Sequence, residues 1–295
     1  MRLFRTLAAT TVAATLTLGA ALLGTGQAQA IEAAAPGQAA VPAVRAPGAD
    51  FTGIAALSNC SASLVRYAES ASTDKALVLT NGHCYEGGFL QPGQVLVNRA
   101  STRSITLLRP DATRAGTVRA TRILFGTMTK TDMIVYEVNE TYASIKSRLK
   151  VSPLTLAKQG PSNGAGMAVV SGYWQRIYTC SVQATIPQLR EGDWSWQSSI
   201  KYQQPGCETI GGTSGSPVVS TSTGEVIGVN NTGNEDGERC TVNNPCEVDA
   251  DGNITVEQGA AYGQQTWWLY TCLTAARTID LSKAGCELPK PAARH

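Results

Sequence analysis

From Phe51 to about Tyr262 the chain is a succession of short apolar runs, each closed off by Gly, Ser, Asn or Thr. Ser63-Leu64-Val65, Ala76-Leu77-Val78-Leu79, Gln94-Val95-Leu96-Val97, Met133-Ile134-Val135-Tyr136, Met167-Ala168-Val169-Val170 and Glu225-Val226-Ile227-Gly228-Val229 are examples. Runs this short, with turn signals at close intervals, point to an all-β sandwich or barrel. Two stretches depart from the pattern. Thr141 to Leu149 reads as a short surface helix or an irregular connector. Gln264 to about Arg277 has helix-like length and composition without Pro or Gly, and is expected to be a terminal helix packing its Trp and Leu residues on the β body. The tail, Pro289 to His295, is expected to be loose.

The N-terminus reads as an export signal over residues 1–30. Met1-Arg2-Leu3-Phe4-Arg5 is the positive start, an apolar stretch follows from about Leu7 to Leu23, and Ala28-Gln29-Ala30 has small residues at cleavage spacing. Thr and Ala dilute the apolar run, which argues against a membrane anchor, and no later segment is apolar for long enough to span a bilayer. Residues 31–50, rich in Ala, Pro and Gly, read as a flexible leader or short pro-segment. The expectation is a secreted, extracellular monomer, free of the membrane once the signal is removed. All eight cysteines (Cys60, Cys84, Cys180, Cys207, Cys240, Cys246, Cys272 and Cys286) lie after the signal. An even number in an exported chain favours disulfides, and the absence of any C-x-x-C pair argues against a metal site. A formal net charge of +2 without basic runs carries no electrostatic footprint for nucleic acid. With only two histidines, one of them the terminal His295, a site built on several His ligands is excluded.

Three local signals bear chemistry, in the order His, Asp, Ser. Thr80-Asn81-Gly82-His83-Cys84 follows an apolar run directly, so His83 stands at the end of a buried strand, a rigid place for a general base. Thr131-Asp132-Met133-Ile134-Val135-Tyr136 puts an acid at the head of an apolar strand, where a buried carboxylate needs a hydrogen-bonded partner such as an imidazole N–H. Ile210-Gly211-Gly212-Thr213-Ser214-Gly215-Ser216-Pro217 places a serine on a tight glycine turn that can aim amide N–H groups at a substrate carbonyl. Each alone has an ordinary structural reading: a strand-end cap, a loop-capping Asp, a Gly/Ser hairpin. A nucleophile elbow of the α/β-hydrolase kind does not fit, because Ser216 stands where its second Gly belongs and no His but the terminal one follows Ser214.

Together these segments, over roughly Phe51 to Ala276, resemble the chymotrypsin-like (trypsin-like) serine peptidases. The Thr-Asn-Gly-His and Ser-Gly-Ser-Pro forms are most similar to the bacterial secreted branch. The resemblance implies two packed six-stranded antiparallel β-barrels with a short C-terminal helix. The peptidase domain would span 51–288, with barrels at about 51–150 and 151–262 and the helix at about 264–277. It implies His83, Asp132 and Ser214 as catalytic triad, the N–H groups of Gly212 and Ser214 as oxyanion hole, a protein or peptide substrate, and no cofactor or metal. Cys60–Cys84 is the pairing usual in the family. The other pairs expected, from nearness in sequence, are Cys180–Cys207, Cys240–Cys246 and Cys272–Cys286.

By the same resemblance, substrate preference depends on Asn230, Asn231, Thr232 and Gly233, and on Glu208, which falls where trypsin-like enzymes carry the acid for Arg or Lys. A solvent-facing loop Glu is the competing reading for Glu208. Asn230 stands where glutamyl-specific relatives carry His, which disfavours Glu specificity. Thr213 replaces the Asp that binds a new N-terminus in the animal enzymes, so activation by that ion pair is not available here. The acidic stretch Asn234-Glu235-Asp236, with Asp249 and Asp251 nearby, reads as polar turns rather than a calcium loop. The rival functions are a catalytically silent binding module and an esterase using the same three residues.

Overall fold

The computed structural model describes residues 49–292; the expected export signal, nearly all of the expected leader and the last three residues lie outside them. The first sheet holds β1 (Ile54–Ala56), β2 (Ser61–Arg66), β3 (Lys75–Thr80), β4 (Val95–Ala100), β5 (Ser104–Leu108), β6 (Arg114–Thr127), β7 (Met133–Thr141) and β8 (Leu154–Thr155). Hydrogen bonding runs β1-β5-β6-β7-β3-β2 and returns to β1, a closed six-stranded antiparallel barrel. β4 adds to β6, and β8 pairs parallel with β2. Closure removes the open edges of the six strands.

The second sheet holds β9 (Gly166–Ser171), β10 (Arg176–Glu191), β11 (Trp194–Tyr202), β12 (Pro217–Ser220), β13 (Val226–Gly233), β14 (Cys246–Val248), β15 (Ile254–Thr255) and β16 (Ala261–Gln265). Its ring is β9-β12-β13-β16-β11-β10, closed by pairing of β10 with both β9 and β11. The short β14 and β15 extend it from β10.

Alternation along the strands explains why several runs are apolar without a break. In β3, Ala76 and Val78 face the interior of the first barrel, whereas Leu77 and Leu79 join a second cluster with Val226 and Val229 of the other barrel. In β7, Ile134 and Tyr136 point inward while Met133 and Val135 point to that shared cluster. Side chains alternate faces along a strand, and both faces are buried over Ala76–Leu79 and Met133–Tyr136, so each of those positions is apolar. Fully burying each such side chain stabilises the fold by about 1.5–3 kcal/mol. The second barrel has its own core, with Met167, Val169, Tyr178, Ile200, Tyr202 and Val218.

The connector after β7 is a helix, α1 (Tyr142–Leu149), with Tyr142, Ile145 and Leu149 on its buried side. Thr141 caps it by accepting a hydrogen bond from the Ser144 amide.

The terminal helix is a correction to the sequence expectation. Helical structure is limited to the single turn α2 (Trp268–Thr271), while Gln264 and Gln265 belong to β16. Strand pairing of Gln264 with Val229 and of Gln265 with Gly228 claims those residues, and buried side-chain bonds to Ser199 and the Ser198 carbonyl reinforce it. Beyond the turn, the Cys272–Cys286 disulfide and the Leu273–Ile279 bridge replace helix with an irregular loop. Trp268 and Leu269 are buried in the cluster between the barrels. Among the described residues, no helix is long and apolar enough to cross a membrane.

Four disulfides join Cys60 to Cys84, Cys180 to Cys207, Cys240 to Cys246 and Cys272 to Cys286.

Candidate active site

Strand ends of the first barrel supply the imidazole and the carboxylate. β3 ends at Thr80 and the chain turns at once, with the Tyr85 amide donating to the Gly82 carbonyl at 3.0 Å, which swings His83 toward the head of β7. Asp132, fully buried, accepts from His83 twice: Nδ1 lies 2.7 Å from Oδ2, and the His83 backbone N–H donates to Oδ1 at 3.0 Å. The Asn81 side chain donates to the Asp132 backbone carbonyl at 2.9 Å, so the acid is gripped from both ends. Gly82 is what allows this approach, since a Cβ there would strike the Thr127 carbonyl and come within 2.8 Å of Asp132 Oδ1. Cys60–Cys84 pins the turn to the start of β2, and Arg103 and Asn59 both donate to the Cys84 carbonyl.

His83 is 19% exposed at its side chain. Burial lowers its pKa, but the charge and hydrogen bond of Asp132, with a smaller contribution from Glu191, outweigh that and set it above the ordinary 6.5. With Nδ1 committed to Asp132, the other ring nitrogen is left for proton exchange.

Ser214 comes from the second barrel, on the turn just before β12. Gly212 and Gly215 both have positive φ (+85° and +79°), a conformation that glycine adopts without steric penalty. The Thr213 amide donates to the Ile210 carbonyl and the Ser216 amide to the Thr213 carbonyl, each at 3.0 Å, so the turn is wound around Ser214. Thr213, at the position where the animal enzymes carry Asp, is buried; its hydroxyl donates to the Ile210 carbonyl and accepts from the Asn230 side chain at 3.1 Å. Among the described residues, the amides of Gly212 and Ser214 donate to no protein acceptor.

His83, Asp132 and Ser214 line one cavity of about 250 Å³. The Ser214 hydroxyl donates to the Asn231 carbonyl at 3.4 Å, and no hydrogen bond joins it to His83 among the described residues. The His–Asp pair is thus closed, whereas the Ser214 hydroxyl is engaged by the Asn231 carbonyl.

Glu208, Asn230, Asn231, Thr232 and Gly233 line the same cavity. Their side chains differ in what they do there. Glu208 is exposed and accepts from the Gly206 amide at 3.0 Å, bent back on its own loop, and Asn230 donates to Thr213 while its Oδ1 is buried without a partner among the described residues. Asp249 folds its loop by accepting from the amides of Asp251 and Asn253, which is a polar turn.

Two features escaped sequence reasoning. Ser61, the first residue of β2, holds the nucleophile loop to the first barrel: its amide donates to the Ser214 carbonyl at 2.8 Å, and its hydroxyl to the Gly212 carbonyl at 3.3 Å. Nothing local to Asn59-Cys60-Ser61 signals a partner so distant in the chain. Glu191, at the end of β10, is buried and lines the cavity beside the catalytic candidates. It is one acid among many in the sequence, and its place depends on the length of the β10–β11 hairpin.

Two closed antiparallel barrels, with the His–Asp pair at strand ends of one and the serine turn leading into a strand of the other, define a chymotrypsin-like fold. The chain belongs to the trypsin-like peptidase family: the model of the trypsin-like peptidase domain matches residues 60–229, which contain all three candidates. No curated protein matches. Among solved structures, the chain is similar to the Rv3671c protease of M. tuberculosis in an inactive form, at 13% identity and TM-score 0.44 over 74% of this chain and 85% of that one. It is similar also to the MamO protease domain from Magnetospirillum magneticum, at 12% identity and TM-score 0.44 over 75% and 95%. A third is the Nocardiopsis protease, at 14% identity and TM-score 0.40 over 74% and 93%.

Proposed function

We propose that the chain is a secreted serine endopeptidase that cleaves peptide bonds through an acyl-enzyme on Ser214. The observation that carries this reading is the buried Asp132 carboxylate bound twice to His83, in the same cavity as a serine on a glycine turn. In the reaction, Ser214 Oγ leaves the Asn231 carbonyl, turns to His83 and attacks the substrate carbonyl while the imidazole takes its proton. Asp132 holds the ring in its tautomer and stabilises the imidazolium. The amides of Gly212 and Ser214, which have no protein acceptor among the described residues, receive the developing oxyanion. His83 returns the proton to the leaving amine, and water repeats the sequence to release the acid. The four disulfides support an oxidising, extracellular setting.

The test is Ser214→Ala, assayed on casein and with a fluorophosphonate probe. Proteolysis and labelling should both vanish, a loss of more than about 10³-fold; a variant that keeps full activity refutes the assignment.

A further inference from the structure

Resting on that function, we infer that Trp174 is a positioning residue of the oxyanion hole: its indole N–H fixes the orientation of the Gly211–Gly212 peptide, whose amide must face the substrate carbonyl. The indole Nε1 donates to the Gly211 carbonyl at 2.7 Å. In a planar trans peptide the C=O and the following N–H point in opposite directions. A Gly211 carbonyl drawn to the indole therefore turns the Gly212 N–H away from Trp174. Gly211, Thr213 and Ser214 line the catalytic cavity while Trp174 is outside its lining, so the indole grips this peptide from behind the hole.

The peptide needs such a grip. It joins two glycines, and a Cβ at Gly211 would meet nothing within 4 Å, so the backbone itself resists a flip only weakly. Flipped, it would aim the Gly211 carbonyl at the developing oxyanion in place of an N–H. Trp174 is 41% exposed, yet its place is well determined. It sits at the tip between β9 and β10, where its amide donates to Ser171 Oγ at 3.2 Å. The Ser171 and Ser61 hydroxyls lie 3.0 Å apart, and Ser61 donates onward to the Gly212 carbonyl at 3.3 Å. Ser61 has one hydroxyl proton, so Ser171 is the donor in the middle bond. The Tyr173 amide also donates to Ser61 Oγ, at 3.1 Å, and both serines are fully buried. One network thus ties the tip to the next peptide of the nucleophile loop. The Tyr173 and Trp174 rings meet edge to face at 5.1 Å and cover Gly212, where a Cβ would come within 2.9 Å of the indole nitrogen. The tip abuts the first barrel as well, since a Cβ at Gly172 would strike the Ala55 carbonyl.

The experiment compares the wild type with Trp174→Phe, which keeps an aromatic ring and loses the donor, on one fluorogenic peptide chosen from a library screened with the wild type. The readouts are kcat, KM, fluorophosphonate labelling, thermal unfolding, and inhibition by the peptide aldehyde and the peptide alcohol of the same acyl-side sequence. The aldehyde adds the Ser214 hydroxyl across its carbonyl and sets that oxygen in the hole, whereas the alcohol does not. Trp174→Phe should lower kcat by roughly 5–10-fold, the worth of one hydrogen bond, which is less than the ~10²–10³-fold of deleting an oxyanion donor outright. Aldehyde affinity should fall by a similar factor, with KM, alcohol affinity and melting temperature unchanged. A fall in kcat of less than about twofold overturns the inference, because the bond would then bias no peptide orientation. So does a loss carried by KM, or one that weakens aldehyde and alcohol alike; in each case a labelling, cleaving wild type leaves the peptidase reading intact. A wild type that neither labels nor cleaves brings down both. Should Trp174→Phe unfold, β-(3-benzothienyl)alanine at position 174, which exchanges only the indole N–H for sulfur, takes its place and is read against the same outcomes.

Discussion

The two barrels bring their shares of the site to different states of readiness. The first barrel presents a finished pair: Asp132 is enclosed and every contact that fixes His83 is made inside it. The second barrel presents a turn whose backbone is fixed while its working hydroxyl rests on the Asn231 carbonyl at 3.4 Å. That turn is held by hydrogen bonds within its own barrel and, from across the junction, by Ser61 and by close packing of Gly215 on the first barrel. Rigidity of the base thus comes from buried side-chain hydrogen bonds, and placement of the nucleophile from backbone contacts, some of them between barrels. The difference teaches that the site can be broken by distinct routes on its two sides.

The sharpest break is electrostatic and lies in the first barrel. Asp132→Asn should keep the fold and lower kcat by ~10⁴-fold, because the amide supports the wrong imidazole tautomer. A loss of less than about tenfold would mean that Asp132 does not orient the base.

The corresponding break in the second barrel is steric. In Gly215→Ala the new methyl would run into the Thr80 hydroxyl and the Ser61 carbonyl, both in the first barrel, at a φ of +79°. Overpacking and backbone strain together should destabilise the protein by roughly 2–4 kcal/mol in denaturant unfolding. Displacement of Ser214 should lower kcat/KM by ~10²-fold. Gly224 separates the two causes: it has φ +72° and open space around it, so Gly224→Ala should cost only about 1 kcal/mol and leave turnover alone.

The smallest effect concerns pH. His83 acts as base only when neutral, and its pKa is raised, so kcat/KM should fall as pH drops through a midpoint above 6.5. Glu191 adds to that rise, and its replacement by Gln should move the acid limb slightly toward lower pH. A limb that moves upward would show that the Glu191 charge does not reach the imidazole.

Much of this was readable beforehand, for reasons that are local. Met133-Ile134-Val135-Tyr136 announces a strand because apolar, β-branched and aromatic residues suit a pleated surface buried on both faces. Thr80-Asn81-Gly82-His83 announces a sharp exit from such a strand, and the glycines around Ser214 announce a turn, since backbone freedom is a property of the residue itself. The over-long terminal helix shows the limit of this reasoning. Gln264 and Gln265 carry no local bias strong enough to resist the hydrogen bonds that β13 makes available, and tertiary pairing overrode propensity there.

By itself, then, the order of residues determined the β class, the turn chemistry and the identity of the three candidate reactive groups, because each rests on properties of neighbouring residues. Only tertiary structure decided that Ser61 would clasp the nucleophile loop, that Glu208 would fold back onto the Gly206 amide, and that Glu191 would stand buried beside His83. Those outcomes depend on distances between segments far apart in the chain. Such distances are set by barrel closure and packing between barrels, which no single stretch of residues encodes.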